Sequence, residues 1–149
     1  MKVNIINNTD EKIVNMLPIY DIIYEVLGMI KTKSLKIDKE MNVVFVDKQS
    51  IKSMNYQFRG KNTETDVLSF QYDDDDEIFG EIILCPEVIK TQAPNFNNSF
   101  DKELTYMLIH GILHLAGYEH EDDPRKAKEM FRIQEEIFSV IKNKYIDKT

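Results

Sequence analysis

The sequence predicts an α+β fold: a single domain over residues 1–149, with a small mixed four-stranded sheet packed with about five helices. Three observations predict it. Two short apolar runs, Lys2–Ile6 and Met41–Val46, are separated by a stretch of helical period. Two further strand-like runs, Val67–Tyr72 and Glu81–Leu84, flank Asp73–Gly80, a hairpin with an acidic loop. The remaining chain carries three helix-starting signals, at Pro86, Ser99 and Pro124. Strands joined through helices are expected to run parallel, and the hairpin pair antiparallel.

Each element has a local reason. After the first strand, Thr9 offers a helix cap, and Asp10 and Glu11 suit the positive end of a helix. Ile13, Leu17, Tyr20, Tyr24 and Leu27 recur at helical spacing to about residue 30, with Pro18 set to kink or split the helix. Met41–Val46 is β-branched and apolar, as a buried strand requires. Ile51, Met54 and Phe58 make the apolar stripe of a short amphipathic helix, and Phe58 is expected in the core. Pro86 suits the first position of a short helix. Ser99 caps a longer helix, Phe100–Ala116, which Gly117 stops. Pro124 opens the last helix behind Glu121, Asp122 and Asp123, with Met130, Ile133, Ile137 and Val140 as its buried stripe.

Composition narrows the function classes. With 42% hydrophobic and 30% charged residues, the chain is neither disordered nor fibrous. The lone Cys85 forms no internal disulfide, which points to a reducing, cytoplasmic setting. No apolar run reaches 18 residues, and the N-terminal apolar run is too short for a signal peptide, so no membrane partner is expected. A net charge of −7 excludes a protein that coats nucleic acid by charge alone. The charge is uneven, however. Residues 31–61 carry eight basic and three acidic groups, and residues 62–123 two basic and fifteen acidic. A small basic patch beside a metal ion remains compatible with RNA.

All three histidines fall in His110–His120. His110 and His114, four residues apart, share one face of a helix and can bind one ion. Gly117 can turn the chain back, so that His120 approaches the same ion. Three imidazoles leave a fourth zinc position open to water, whose pKa the ion lowers to about 7. A closed structural zinc site usually draws on more thiols than Cys85 alone. The spacing also matches the metzincin protease motif, except that Gly111 stands where the protease has its catalytic Glu. Gly111 either leaves room beside the metal for a bulky or anionic substrate or permits close helix packing. These residues alone indicate a metal-dependent hydrolase that is not an ordinary protease.

The stretch His110-Gly111-Ile112-Leu113-His114-Leu115-Ala116-Gly117-Tyr118-Glu119-His120 resembles the His-Gly-x-Leu-His-Leu-x-Gly-Tyr-Asp-His signature of the YbeY proteins, bacterial rRNA maturation endoribonucleases. Asn55–Lys61 with Thr65–Phe70 is similar to the family's Tyr-Arg-Gly-Lys…Thr-Asp-Val-Leu-Ser-Phe block, and Gly80–Cys85 to its Gly-Asp-Ile-x-Ile-x strand. The similarity of order and spacing covers roughly residues 40–140. Glu119 and Glu81 each stand where the family has Asp, with the charge kept. The resemblance implies a zinc-dependent, single-strand-specific endoribonuclease of 16S rRNA 3′-end maturation and ribosome quality control. It implies rRNA precursor as substrate and the small ribosomal subunit as partner.

On that basis His110, His114 and His120 hold one Zn²⁺, and His114 and Arg59 are the catalytic residues to test. Arg59, with Lys61, binds the phosphate and offsets charge growing in the transition state. No obvious general base replaces the protease Glu; Asp66 and Glu119 are the candidates, and both read more readily as supporting carboxylates, with Ser69 as a strand hydroxyl and Cys85 as a buried small hydrophobe. Attack by water or by the ribose 2′-OH both stay open. So do two other functions, a zinc hydrolase of peptides or small molecules and a non-catalytic ribosome assembly factor.

Overall fold

A computed structural model describes residues 1–10, 17–30, 38–73, 75–118 and 122–147. Four strands form one sheet: β1 (Lys2–Asn7), β2 (Glu40–Phe45), β3 (Val67–Gln71) and β4 (Ile78–Leu84). Their order is β1-β2-β4-β3. β1 pairs with β2 and β2 with β4 in parallel, while β3 and β4 are antiparallel. Among the described residues five α-helices accompany them: α1 (Ile19–Met29), α2 (Lys48–Arg59), α3 (Pro86–Gln92), α4 (Phe100–Leu115) and α5 (Pro124–Ile141). The mixed four-stranded α+β domain is the one expected from the sequence.

Alternation along the strands makes two cores. Met41, Val43, Phe45, Ile82 and Leu84 face α1, α4 and α5 and share a cluster with Ile22, Leu108, Ile112 and Ile137. Val44, Val46, Ile83 and Cys85 face the other way and pack with Ile51 of α2. Residues 43–46 and 82–85 are covered on both faces, and all of them are apolar. Burial holds the Cys85 thiol pKa above its ordinary value, as suits a small core hydrophobe.

Several helix ends match their sequence signals. Ser99 accepts a hydrogen bond from the Lys102 N–H at 3.2 Å, and Asp123 from the Arg125 N–H at 2.9 Å. Pro18 sits immediately before α1. The helical run expected from Thr9 falls largely on residues 11–16, outside those described; Thr9 itself donates from its hydroxyl to Asn7 Oδ1 at 2.6 Å.

Two stripes and one core assignment need correction. In α1 the buried face is Ile19, Ile22, Ile23 and Val26, while Tyr20 and Tyr24 are exposed. Their hydroxyls accept the backbone N–H groups of Ile5 and Val3, at 3.4 and 3.1 Å. They cover the outer edge of β1, a use of tyrosine that helical period alone does not reveal. In α5 the buried positions are Met130, Gln134, Ile137 and Ile141, and Val140 is exposed. Phe58 is 62% exposed rather than in the core. Among the described residues no helix is long and apolar enough to cross a membrane.

Candidate active site

β3 lies at an edge of the sheet, with α2 on one face and α4 on the other. Its outer side floors a cleft of about 640 Å³ lined by Arg59, Thr65–Gln71, His110, His114 and Leu115. The cleft thus brings together a guanidinium and two imidazoles that are 51 and 55 residues apart in sequence.

Arg59 is the last residue of α2. Gly60 follows in the left-handed conformation, at φ 71°, and its N–H closes the helix on Tyr56 O at 3.0 Å. Asn55, buried in α2, donates from its side chain to Thr63 O at 3.0 Å and holds the loop back against the helix. Lys61 lies in this loop, exposed, and is outside the set of residues lining the cleft. Asp66 is fully engaged: Oδ1 accepts from Val67 N at 2.8 Å and Oδ2 from Gln92 Nε2 at 2.8 Å. It anchors the start of β3 and also lines the cleft. Ser69, a strand hydroxyl as expected, donates to Gly111 O at 3.3 Å and ties β3 to α4.

On α4, the Nε2 atoms of His110 and His114 stand 3.0 Å apart. His110 Nδ1 is 3.0 Å from Gln134 Oε1. That oxygen only accepts, so His110 donates from Nδ1 and turns its Nε2 lone pair toward His114. Two imidazoles at about 2.0–2.1 Å from one tetrahedral zinc ion would have nitrogens roughly 3.3 Å apart. The two ring nitrogens fit a shared metal ion in separation and chemistry, and the Gln134 contact suits the His110 tautomer that leaves Nε2 to a metal. Gly117, at φ 98°, turns the chain after α4, with its N–H on His114 O at 3.1 Å. His120 and Glu119 lie outside the described residues, within which no group of three metal-binding side chains is found.

Gln134 is the site residue that the sequence reading missed. Its signal is a polar side chain within the buried positions 130, 134, 137 and 141 of α5, packed against the helix that bears the histidines. Such support of a ligand's orientation is a regular feature of metal sites.

Gly111 is explained by packing. A Cβ there would come within 2.8 Å of Ile82 Cγ2 and 3.3 Å of Ser69 Oγ. α4 therefore lies directly on the sheet, and position 111 faces β3 and β4. Gly111→Ala gains about 1 kcal/mol in helix propensity but overpacks a stiff, fully buried Ile82, at a cost of about 1–3 kcal/mol. The expected net loss, about 1 kcal/mol, is measurable as a lower denaturation midpoint; a higher midpoint would contradict this packing role.

Comparison with known proteins identifies the family to which this fold is similar. The family model described as "Endoribonuclease YbeY" matches residues 4–142. Endoribonuclease YbeY of Petrotoga mobilis is 42% identical over 138 residues, covering 93% of this chain and 94% of its own. Endoribonuclease YbeY of Thermosipho melanesiensis is 47% identical over 112 residues, covering 74% and 80%. The solution structure of TM1509 from Thermotoga maritima superposes with a TM-score of 0.65 at 36% identity, covering 94% of this chain and 89% of that one.

Proposed function

The chain belongs to the YbeY endoribonuclease family, and from that membership and the cleft we propose that it cleaves single-stranded RNA with one zinc ion held by His110, His114 and His120. Its place is the cytoplasm, in 16S rRNA 3′-end maturation and ribosome quality control, with the small ribosomal subunit as partner. The observation that carries the proposal is the convergence of Arg59 with His110 and His114 on one cleft.

The chemistry follows from the donors. Arg59 offers a planar, permanently charged fork to a phosphodiester and offsets negative charge as the phosphorus gains an attacking oxygen. Bound zinc would supply Lewis acidity and an activated water. Gln134 keeps the His110 ring in the tautomer that presents Nε2. Lys61, at the mouth of the same loop, adds a mobile point charge toward the RNA backbone.

Purified protein incubated with a single-stranded RNA, its duplex form and casein, with and without chelator, tests this. Cleavage of the single strand that chelator removes is expected. Binding without cleavage would instead make the protein an assembly factor, and casein turnover a peptidase. A strand with 2′-deoxy sugars separates the nucleophiles, because only attack by water survives that change.

A further inference from the structure

Phe58 immediately precedes Arg59 in the last turn of α2, and most of its side chain is in solvent. It is nevertheless held: its ring centroid is 4.8 Å from that of Phe70, at an interplanar angle of 52°. Phe70 is half-buried in β3, lines the cleft and packs against the core beneath α2. One ring, which lines the cleft, therefore braces another that stands in water one residue before Arg59.

Single-stranded RNA binds proteins through that combination of charge and an aromatic face. Cationic groups follow the backbone while unstacked bases lie on rings, and every base has a π-face to offer. A duplex cannot make the second contact, because its bases are already stacked. We propose that the exposed face of Phe58, backed by Phe70, is a stacking platform for a nucleobase next to the phosphate held by Arg59; this rests on the endoribonuclease reading of the cleft. The platform makes recognition depend on an unpaired base and only weakly on which base it is.

A short single-stranded oligoribonucleotide and a series with one base at a time replaced by an abasic site provide the test, read as binding affinity and as KM against kcat. In the wild type, one abasic position beside the cleaved bond should weaken binding about tenfold, mainly through KM. Phe58→Leu keeps an apolar cover over Phe70 but loses the aromatic face. It should weaken binding of the intact strand about tenfold and no longer distinguish it from the abasic one, while Phe58→Trp restores both. A Phe58→Leu protein that discriminates as the wild type does overturns the platform. So does a wild type indifferent to every abasic position, a result that needs no variant to fold and leaves the endoribonuclease reading standing. A wild type that cleaves no RNA overturns that reading and the platform with it.

Discussion

His114→Ala is expected to lose bound metal and RNA cleavage together. The imidazole is one of two whose Nε2 atoms converge at 3.0 Å, and alanine leaves His110 as the sole imidazole of α4. Loss of a group that only orients a ligand costs about 10–100-fold in affinity or activity. Loss of a ligand should exceed that, taking cleavage to background. The side chain is half-buried beside an open cleft, so its removal leaves a small void at the surface rather than a core cavity. The variant should therefore stay folded, and circular dichroism with metal analysis on the same sample checks both. Full zinc occupancy in His114→Ala would remove this residue from the ligand set.

Arg59→Ala has the second largest expected effect, with a different signature. Arg59 is exposed at the end of α2, so its loss costs little stability. In the proposed mechanism its guanidinium offsets charge that grows during the reaction, and removing one such donor typically lowers kcat about 10²–10³-fold. Metal content should remain that of the wild type. Arg59→Lys should recover only part of the rate, because an ammonium cannot reproduce the bidentate fork. An Arg59→Ala protein that cleaves as fast as the wild type would take Arg59 out of the mechanism.

Local signals were legible where local chemistry decides the outcome. The cap at Ser99, the start of α5 at Pro124, the α4 histidine pair and the turn at Gly117 depend on neighbours a few residues away, and each forms where the sequence placed it. The α1 and α5 stripes were misread because apolar content does not settle which face is covered. Tyr20 and Tyr24 look apolar by period, yet their hydroxyls serve the β1 edge. Gln134 looks like a solvated residue until α5 is seen to pack on α4. Phe58 matched an apolar stripe, and only the end of α2 at the edge of β3 leaves it in water.

The site followed the same division. Residues 110 and 114 share a face by helical geometry alone. Residue 59 shares their cleft because β3 lies at the sheet edge between α2 and α4, an arrangement made by long-range pairing; in the sequence, family resemblance alone pointed to it. Gly111 allowed two explanations, and the contact distance to Ile82 selects packing. The net charge of −7 is likewise compatible with RNA once the exposed Lys52, Arg59 and Lys61 are seen on and just after one helix, with Arg59 lining the cleft.

The most direct test of zinc-dependent cleavage is to measure metal content and RNA-cleaving rate on one preparation of the wild-type chain, before chelation, after it, and after zinc is returned. The zinc assignment predicts about one ion per chain, a rate that falls in proportion to the ion removed, and recovery when it is restored. Undiminished cleavage by metal-free protein would contradict it.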